Sequence, residues 1–104
     1  MKSDVKVKIC GLTTAETVQA AVEGGTDYIG FVFFAKSPRF VTPQKNAKLA
    51  QYVPKRVVKV GLVVDADDVL LDNIMSEGAI DMLQLQGNET PARIVQIKAK
   101  TGLP

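Results

Sequence analysis

The chain alternates between two hydrophobic patterns, and this alternation limits its possible folds more than any other feature. Short apolar runs with strand-like spacing start near residues 5, 28, 57 and 80, and each is followed by a segment with helical spacing. The runs at 28–34 and 57–64 are almost entirely apolar, as in strands buried on both faces. The repeated order βαβαβαβα therefore predicts an α/β fold with a parallel sheet and right-handed crossovers.

Capping residues mark the ends of the helices. A threonine precedes a proline at Thr42-Pro43 and at Thr90-Pro91, a pattern typical of helix starts, while Gly78 is typical of a helix end. Asp65 is the predicted N-cap of the third helix, with a catalytic role as the minority alternative. The predicted helices run from Thr13 or Thr14 to Gly24, from Pro43 to about Val53, from Asp65 to about Glu77, and from Pro91 to Thr101.

A short internal similarity supports the repeated organisation. Residues 23–29 resemble residues 77–83, 54 positions later in the chain. Both segments contain a helix end, a glycine and an aspartate that enters a strand. The same unit is thus used at least twice.

Two architectures fit this order. One is a small doubly wound sheet of the flavodoxin type, which normally has five strands. The other is the first half of an eight-stranded (β/α) barrel, which typically has about 250 residues. Four compact units in 104 residues match half a barrel, so we expect residues 1–104 to form one N-terminal half-barrel with no second domain.

Composition excludes several functional classes. The chain has no histidine and one cysteine, which excludes histidine-based catalysis, most catalytic zinc sites and an internal disulfide. The net charge of +2 is too small to indicate a nucleic-acid partner. No apolar stretch approaches the roughly 18 residues of a membrane span. With no secretion signal visible either, the expected location is the cytoplasm.

The reactive candidates lie where the predicted strands end, which is where parallel sheets gather function. Cys10 ends the first strand, and Lys8 shares its face by two-residue alternation. A lone cysteine is most often a small buried hydrophobe. A neighbouring ammonium would favour its thiolate, which can act as a nucleophile or a general base.

Polar side chains also follow the second and fourth strands. Arg39 is either a solvent-exposed loop residue or a fork for a substrate carboxylate or phosphate. Gln84 and Gln86 share a strand face with Met82 and need hydrogen-bond partners, so substrate contact is plausible. The glycines form no dinucleotide-binding or P-loop pattern, which argues against a nucleotide cofactor.

Four motifs at these positions resemble, in the right order, the phosphoribosylanthranilate isomerase family of tryptophan biosynthesis. Together they span about residues 6 to 89, and their combination is far more specific than any one of them. The motifs are Lys8-Ile9-Cys10-Gly11-Leu12-Thr13, Gly30 to Phe34 with Lys36-Ser37-Pro38-Arg39, Val60-Gly61-Leu62-Val63, and Gln84-Leu85-Gln86-Gly87-Asn88-Glu89.

The resemblance implies a TIM (β/α)₈ barrel that catalyses an Amadori rearrangement of N-(5'-phosphoribosyl)anthranilate, without metal or organic cofactor. It implies that Cys10 is the general base that takes the C2 proton and that Arg39 holds the anthranilate carboxylate. We expect Lys8, Gln84 and Gln86 to contact this phosphosugar substrate. The family usually has histidine in place of Gln86, and glutamine keeps an N–H donor but no charge.

The family's barrel is about twice as long as this chain, and the resemblance places its general-acid aspartate and phosphate loops beyond Pro104. We therefore expect an incomplete and inactive half that associates with a C-terminal half-barrel or with itself. The concave residues available for association would include Gly30, Val32, Phe34, Val63 and Met82. The alternatives are a non-catalytic, self-associating half-barrel and a flavodoxin-like regulatory domain.

Overall fold

The computed structural model describes residues 7–103, which form a four-stranded parallel sheet with four helices. The strands lie in the order β1-β2-β3-β4, so each strand pairs with the next one in sequence. This confirms the predicted order, although the predicted strand start near Val5 lies outside the described residues. The elements are β1 (Lys8–Cys10), α1 (Ala15–Glu23), β2 (Tyr28–Val32), α2 (Pro43–Ala50), β3 (Val58–Val63), α3 (Asp68–Glu77), β4 (Met82–Leu85) and α4 (Pro91–Thr101).

Strand order separates the two predicted architectures. A flavodoxin-like sheet has the order 2-1-3-4-5, with the first strand inside the sheet. Here β1 lies at an edge, and every crossover advances by one strand, as in a (β/α) barrel. The flavodoxin-like alternative is therefore wrong for the described residues, and the sheet they form is open rather than closed.

All four helices pack on the same side of the sheet, which we call the helix-facing side. Its strand residues Ile29, Phe31 and Val63 are fully buried. Each helix contributes at least one buried apolar residue to the same core: Val18 and Ala21 from α1, Leu49 from α2, Leu71 and Ile74 from α3, and Ile97 from α4. This single layer of helices leaves the other side of the sheet uncovered by any described element.

Three of the four helix starts follow the predicted threonine caps. The side-chain oxygens of Thr14, Thr42 and Thr90 each accept a hydrogen bond from a backbone N–H three residues later. The third start differs, because Asp67 rather than Asp65 caps α3 and accepts from the Leu70 N–H at 2.8 Å. The predicted capping role of Asp65 is wrong.

Several elements are shorter than predicted. β2 ends at Val32, although the apolar run extends over residues 28–34. The loop after β2 folds back, and its residue Phe40 pairs with Val32. The Val41 N–H donates to the Val32 carbonyl at 2.9 Å. The second helix ends at Ala50 rather than near Val53, and β4 begins at Met82 rather than near Ile80.

The internal sequence similarity corresponds to a repeated hydrogen-bond arrangement. The Asp27 N–H donates to the Val7 carbonyl and its carboxylate accepts from the Val7 N–H, both at 2.9 Å. Asp81 makes the same two contacts with Lys59, at 2.7 and 2.9 Å. Each aspartate thus fastens the start of one strand to the strand before it.

The uncovered side, which we call the concave face, carries the other half of the strand residues. The register aligns Cys10 with Gly30, Gly30 with Val60, and Val60 with Met82. Val63 was predicted on this face, which is wrong, because alternation along β3 turns it to the helix-facing side. Phe34 lies beyond the end of β2, outside the strand register. A cavity of about 380 Å³ on this face is lined by Lys8, Tyr28, Val60, Met82, Leu83 and Gln84.

Within residues 7–103, no helix combines the length and the apolar character needed to cross a membrane.

Candidate functional site

The parallel sheet gathers the ends of its strands at one edge, which we call the carboxyl edge. Cys10 is the last residue of β1, and Arg39 lies in the loop after β2. Asp65 follows β3, and Gln86 follows β4. The predicted candidates from four separate segments therefore share one end of the sheet.

Cys10 lies against the backbone of Gly30. A Cβ added to Gly30 would lie 2.7 Å from the Cys10 Sγ and 3.2 Å from its Cα, so only a glycine leaves this space free. The Gly11 N–H donates to the Gly30 carbonyl at 2.9 Å, which fixes the turn directly after the cysteine. Cys10 is partly buried, and its thiol is held between the first two strands on the concave face.

Arg39 reaches back over the turn after Cys10. Gly11 has φ +82°, and a Cβ at this residue would collide with the side-chain carbons of Arg39. The Arg39 Nε lies 3.3 Å from that same Cβ position. The loop is held by the Arg39 N–H, which donates to the Ser37 hydroxyl at 3.1 Å. The Arg39 side chain thus packs over Gly11, the residue that follows Cys10 in the chain.

Lys8 and Gln84 meet across the concave face. They lie on β1 and β4, the two outermost strands, and the Lys8 Nζ donates to the Gln84 Oε1. This contact requires the sheet to curve, because flat strands about 4.8 Å apart would separate the outer pair too widely. The ammonium is directed to Gln84, and within residues 7–103 it makes no hydrogen bond to Cys10.

Gln86 lies one residue beyond β4 and is exposed. Its backbone N–H donates to the Val63 carbonyl at 3.0 Å and so continues the pairing with β3. Among the described residues its side-chain amide has no hydrogen-bond partner. Its donor and acceptor therefore remain accessible at the carboxyl edge.

Sequence reasoning missed a connection between the loops after β3 and β4. Asp65 has φ +46°, which among residues 7–103 is the only positive value outside glycine. Its Oδ1 accepts from the Asn88 N–H at 2.7 Å, while its own N–H donates to the Glu89 Oε2 at 3.0 Å. Gly87 has no room for a Cβ beside the Asp65 carboxylate. The turn residues Gly87-Asn88 are visible in the sequence, but their partner across the sheet is not.

The ion pairs of α3 and α4 are separate from these candidates. Arg93 pairs with Asp68 at 2.9 Å and donates to the Ala66 carbonyl at 2.9 Å. Lys100 pairs with Asp72 at 2.9 Å, and the hydrogen bond to Asp72 raises the pKa of Lys100 above its usual value. Both pairs join the outer surfaces of neighbouring helices.

Comparison of the sequence with family models matches residues 7–103 to the family described as N-(5'phosphoribosyl)anthranilate (PRA) isomerase. A curated relative, the N-(5'-phosphoribosyl)anthranilate isomerase of Paracoccus denitrificans, is 56% identical over 100 residues. The match covers 96% of this chain and 46% of that protein. The chain thus spans about half the length of the curated relatives it matches.

Solved structures give the same result. The phosphoribosyl anthranilate isomerase of Thermotoga maritima superposes with a TM-score of 0.85 and 32% identity, over 92% of this chain and 47% of that one. A phosphoribosyl anthranilate isomerase in complex with reduced 1-(o-carboxyphenylamino)-1-deoxyribulose 5-phosphate also gives 0.85 and 32%, over 92% of this chain and 50% of that one. The described sheet and helices therefore correspond to about half of each neighbour.

Proposed function

Because the chain belongs to the N-(5'-phosphoribosyl)anthranilate isomerase family, we propose that it supplies the N-terminal half of a (β/α)₈ barrel enzyme of tryptophan biosynthesis. The sequential strand order and the single layer of helices support this proposal. Residues 1–104 form one half-barrel unit, and a C-terminal half-barrel is its partner. The reaction is the Amadori rearrangement of N-(5'-phosphoribosyl)anthranilate, an aminoaldose, to the corresponding aminoketose.

Cys10 is the proposed general base. Once the sugar ring has opened to a Schiff base, the Cys10 thiolate takes the proton from C2, and the electron pair of that bond moves toward the iminium nitrogen. The resulting enolamine tautomerises to the aminoketose. The observation that carries the proposal is the position of Cys10 at the end of β1, directly before Gly11, over which the Arg39 side chain packs. A base must lie within reach of the proton it removes, and the carboxyl edge provides such a position.

Arg39 is the proposed partner of the anthranilate carboxylate. The ligand named with one solved neighbour carries both a carboxyphenyl group and a phosphate. A guanidinium fork suits a planar carboxylate, and the Arg39 side chain packs over Gly11, which directly follows Cys10. Gln86 offers an N–H to the substrate at the same edge, while Lys8 and Gln84, which hydrogen-bond to each other, line the cavity on the concave face.

The general acid is proposed to come from the other half of the barrel. Asp65, which follows β3, and Asp81, which directly precedes β4, are both engaged in structural contacts. The Asp65 carboxylate accepts from the Asn88 N–H, and the Asp81 carboxylate holds both the backbone and the ammonium of Lys59. The 104-residue chain by itself is therefore expected to have no isomerase activity.

A chimera tests this assignment. Residues 1–104 are joined to the part of the Paracoccus denitrificans relative that the match does not cover, and turnover of N-(5'-phosphoribosyl)anthranilate is measured. We expect activity in the chimera and none in the 104-residue chain. Cys10→Ala should lower kcat by about 10²–10⁴-fold, the usual contribution of a general base. Nearly normal turnover by Cys10→Ala would reject the role of Cys10, and turnover by the chain alone would reject the need for a second half.

The open sheet favours a second candidate, self-association of the half-barrel. Within residues 7–103, β1 and β4 each pair with one neighbour only. Val7, directly before β1, is 49% exposed, and Ile9, within β1, is 37% exposed. An apolar groove of about 180 Å³ lies beside β4, where a second copy's β1 would pair. The residues lining the groove include Leu83, Leu85, Ile94, Ile97 and Leu103.

The energetic balance favours such a dimer of the isolated chain. Burying about 800 Å² of apolar surface contributes about 20 kcal/mol, which exceeds an association cost of about 4–15 kcal/mol. Sedimentation of the purified 104-residue chain should therefore show a dimer. A stable monomer at micromolar concentration would reject self-association and leave the C-terminal half as the sole proposed occupant.

A further inference from the structure

We propose that Gly30 is a positioning residue for Cys10: its missing side chain creates the space that holds the thiol. This inference rests on the proposed role of Cys10 as the base. Gly30 lies in the middle of β2 and is buried, directly opposite Cys10 in the parallel register. It also contacts the cysteine segment a second time, because its carbonyl accepts from the Gly11 N–H at 2.9 Å.

The distances show what a side chain at this position would displace. A Cβ on Gly30 would lie 2.7 Å from the Cys10 Sγ, well below the roughly 3.5 Å at which nonbonded heavy atoms normally meet. The distances of 3.2 Å to the Cys10 Cα and Cβ require only a small shift. The thiol sulfur is therefore the atom that must move, by about 1 Å or by rotation to another staggered position.

The displaced thiol has one open direction. The sulfur lies on the concave face, which no described element covers, whereas β2 occupies the neighbouring position within the sheet. A methyl group at Gly30 should therefore drive the sulfur away from the space it shares with β2 and toward the solvent. A base displaced in this way loses its alignment with the C–H bond, and a misplacement of about 1 Å can cost about a hundredfold in rate.

Gly61 provides a matched control. It lies in β3, the neighbouring strand, and is also buried and crowded. A Cβ there would lie 2.8 Å from Ile80 Cδ1 and 2.9 Å from Phe33 Cε2, on the helix-facing side. Gly61→Ala therefore introduces the same methyl group at similar crowding without touching Cys10.

The first experiment follows alkylation of the thiol by N-ethylmaleimide in the folded 104-residue chain. Cys10 is the only cysteine, so the labelling rate reports on it alone. We expect Gly30→Ala to label about threefold faster or more, because the displaced thiol is more accessible. Gly61→Ala should label at the wild-type rate. Equal rates in wild type and Gly30→Ala, or the same acceleration in both variants, would overturn the proposal.

A second experiment keeps the test decisive if Gly30→Ala unfolds. Urea unfolding is measured for wild type, for Gly30→Ala, Cys10→Ala and their double variant, and for Gly61→Ala with and without Cys10→Ala. Removing the sulfur should restore much of the stability that Gly30→Ala loses, whereas Cys10→Ala should not rescue Gly61→Ala. Strict additivity of Gly30→Ala and Cys10→Ala would overturn the proposal, because the clash would then not involve the thiol.

The active chimera separates this inference from the proposed function. There Gly30→Ala should lower kcat by more than about tenfold with little change in KM, while Gly61→Ala leaves kcat within about twofold. If labelling and coupling behave as expected but Cys10→Ala retains full turnover, the thiol site holds and the catalytic role fails. If Cys10→Ala is inactive but Gly30→Ala labels and turns over normally, the catalytic role holds and this inference fails.

Discussion

The two sides of the sheet are formed by the same four strands, yet they differ in burial, in polarity and in coverage by helices. On the helix-facing side, Ile29 and Phe31 are completely buried in a continuous apolar core. On the concave face, the neighbouring positions carry Cys10, a glycine and the Lys8–Gln84 hydrogen bond beside an open cavity. Two-residue alternation thus separates the residues that determine the fold from those proposed to perform the chemistry.

Truncation on the two sides should give the largest contrast. Ile29→Ala removes a fully buried side chain from the helix-facing core and should lower the free energy of unfolding by about 2–5 kcal/mol. Met82→Ala removes a partly buried side chain that borders the open cavity, and it should cost less than about 1.5 kcal/mol. Urea unfolding of both variants measures the difference. Equal losses would mean that the concave face is as firmly packed as the helix-facing side.

The same division explains how much the sequence could predict. Alternation and capping indicated all four strands and helices, because those signals are local. The threonines at 14, 42 and 90 cap as their sequence context indicates. Asp65 was assigned wrongly, because Asp67 lies two residues later and either carboxylate satisfies a local capping rule. Only the approach of the loop after β4 decides between them.

The sequence likewise predicted only part of the candidate site. Strand ends indicated Cys10 and Arg39 as candidates, and both lie at the carboxyl edge in the structure. Their roles remain proposals. The spaces provided by Gly11 and Gly30 were not predicted, because a glycine's function there depends on which side chain a neighbouring strand or loop brings to it. The Lys8–Gln84 contact likewise depends on sheet curvature over 76 residues of sequence separation.

Substitution of Arg39 tests substrate binding separately from proton transfer by Cys10. In the active chimera, Arg39→Ala should raise KM by about 10–100-fold, since hydrogen bonds to charged groups contribute about 1.5–3 kcal/mol. It should lower kcat much less, if the carboxylate contact is equal in the ground and transition states. Steady-state kinetics measures both constants. Arg39→Lys is the matched control, because it keeps the charge but loses the planar fork, and it should recover only part of the affinity. An unchanged KM in Arg39→Ala would show that the arginine does not contact the substrate.

The smallest effect is expected on the outer surface of the helices, where charge rather than apolar packing joins two elements. The Asp72 carboxylate raises the pKa of Lys100 above its usual 10.5 by a side-chain hydrogen bond. A pKa that is higher in the folded state stabilises the fold fully below the unfolded value, and this contribution disappears as pH rises through the folded-state pKa. The ion pair is exposed and screened, so its contribution near neutral pH should be barely measurable.

Lys100→Gln tests this with urea unfolding at two pH values. Near pH 7 the midpoint should fall slightly or not at all, and well above pH 10.5 it should equal that of wild type, because the wild-type lysine is then neutral as well. A large loss at neutral pH would mean that α3 and α4 depend on their surface charges rather than on apolar packing against the sheet. A negligible loss, beside the large loss expected for Ile29→Ala, would show that burial of Leu71, Ile74 and Ile97 against the sheet holds these helices in place.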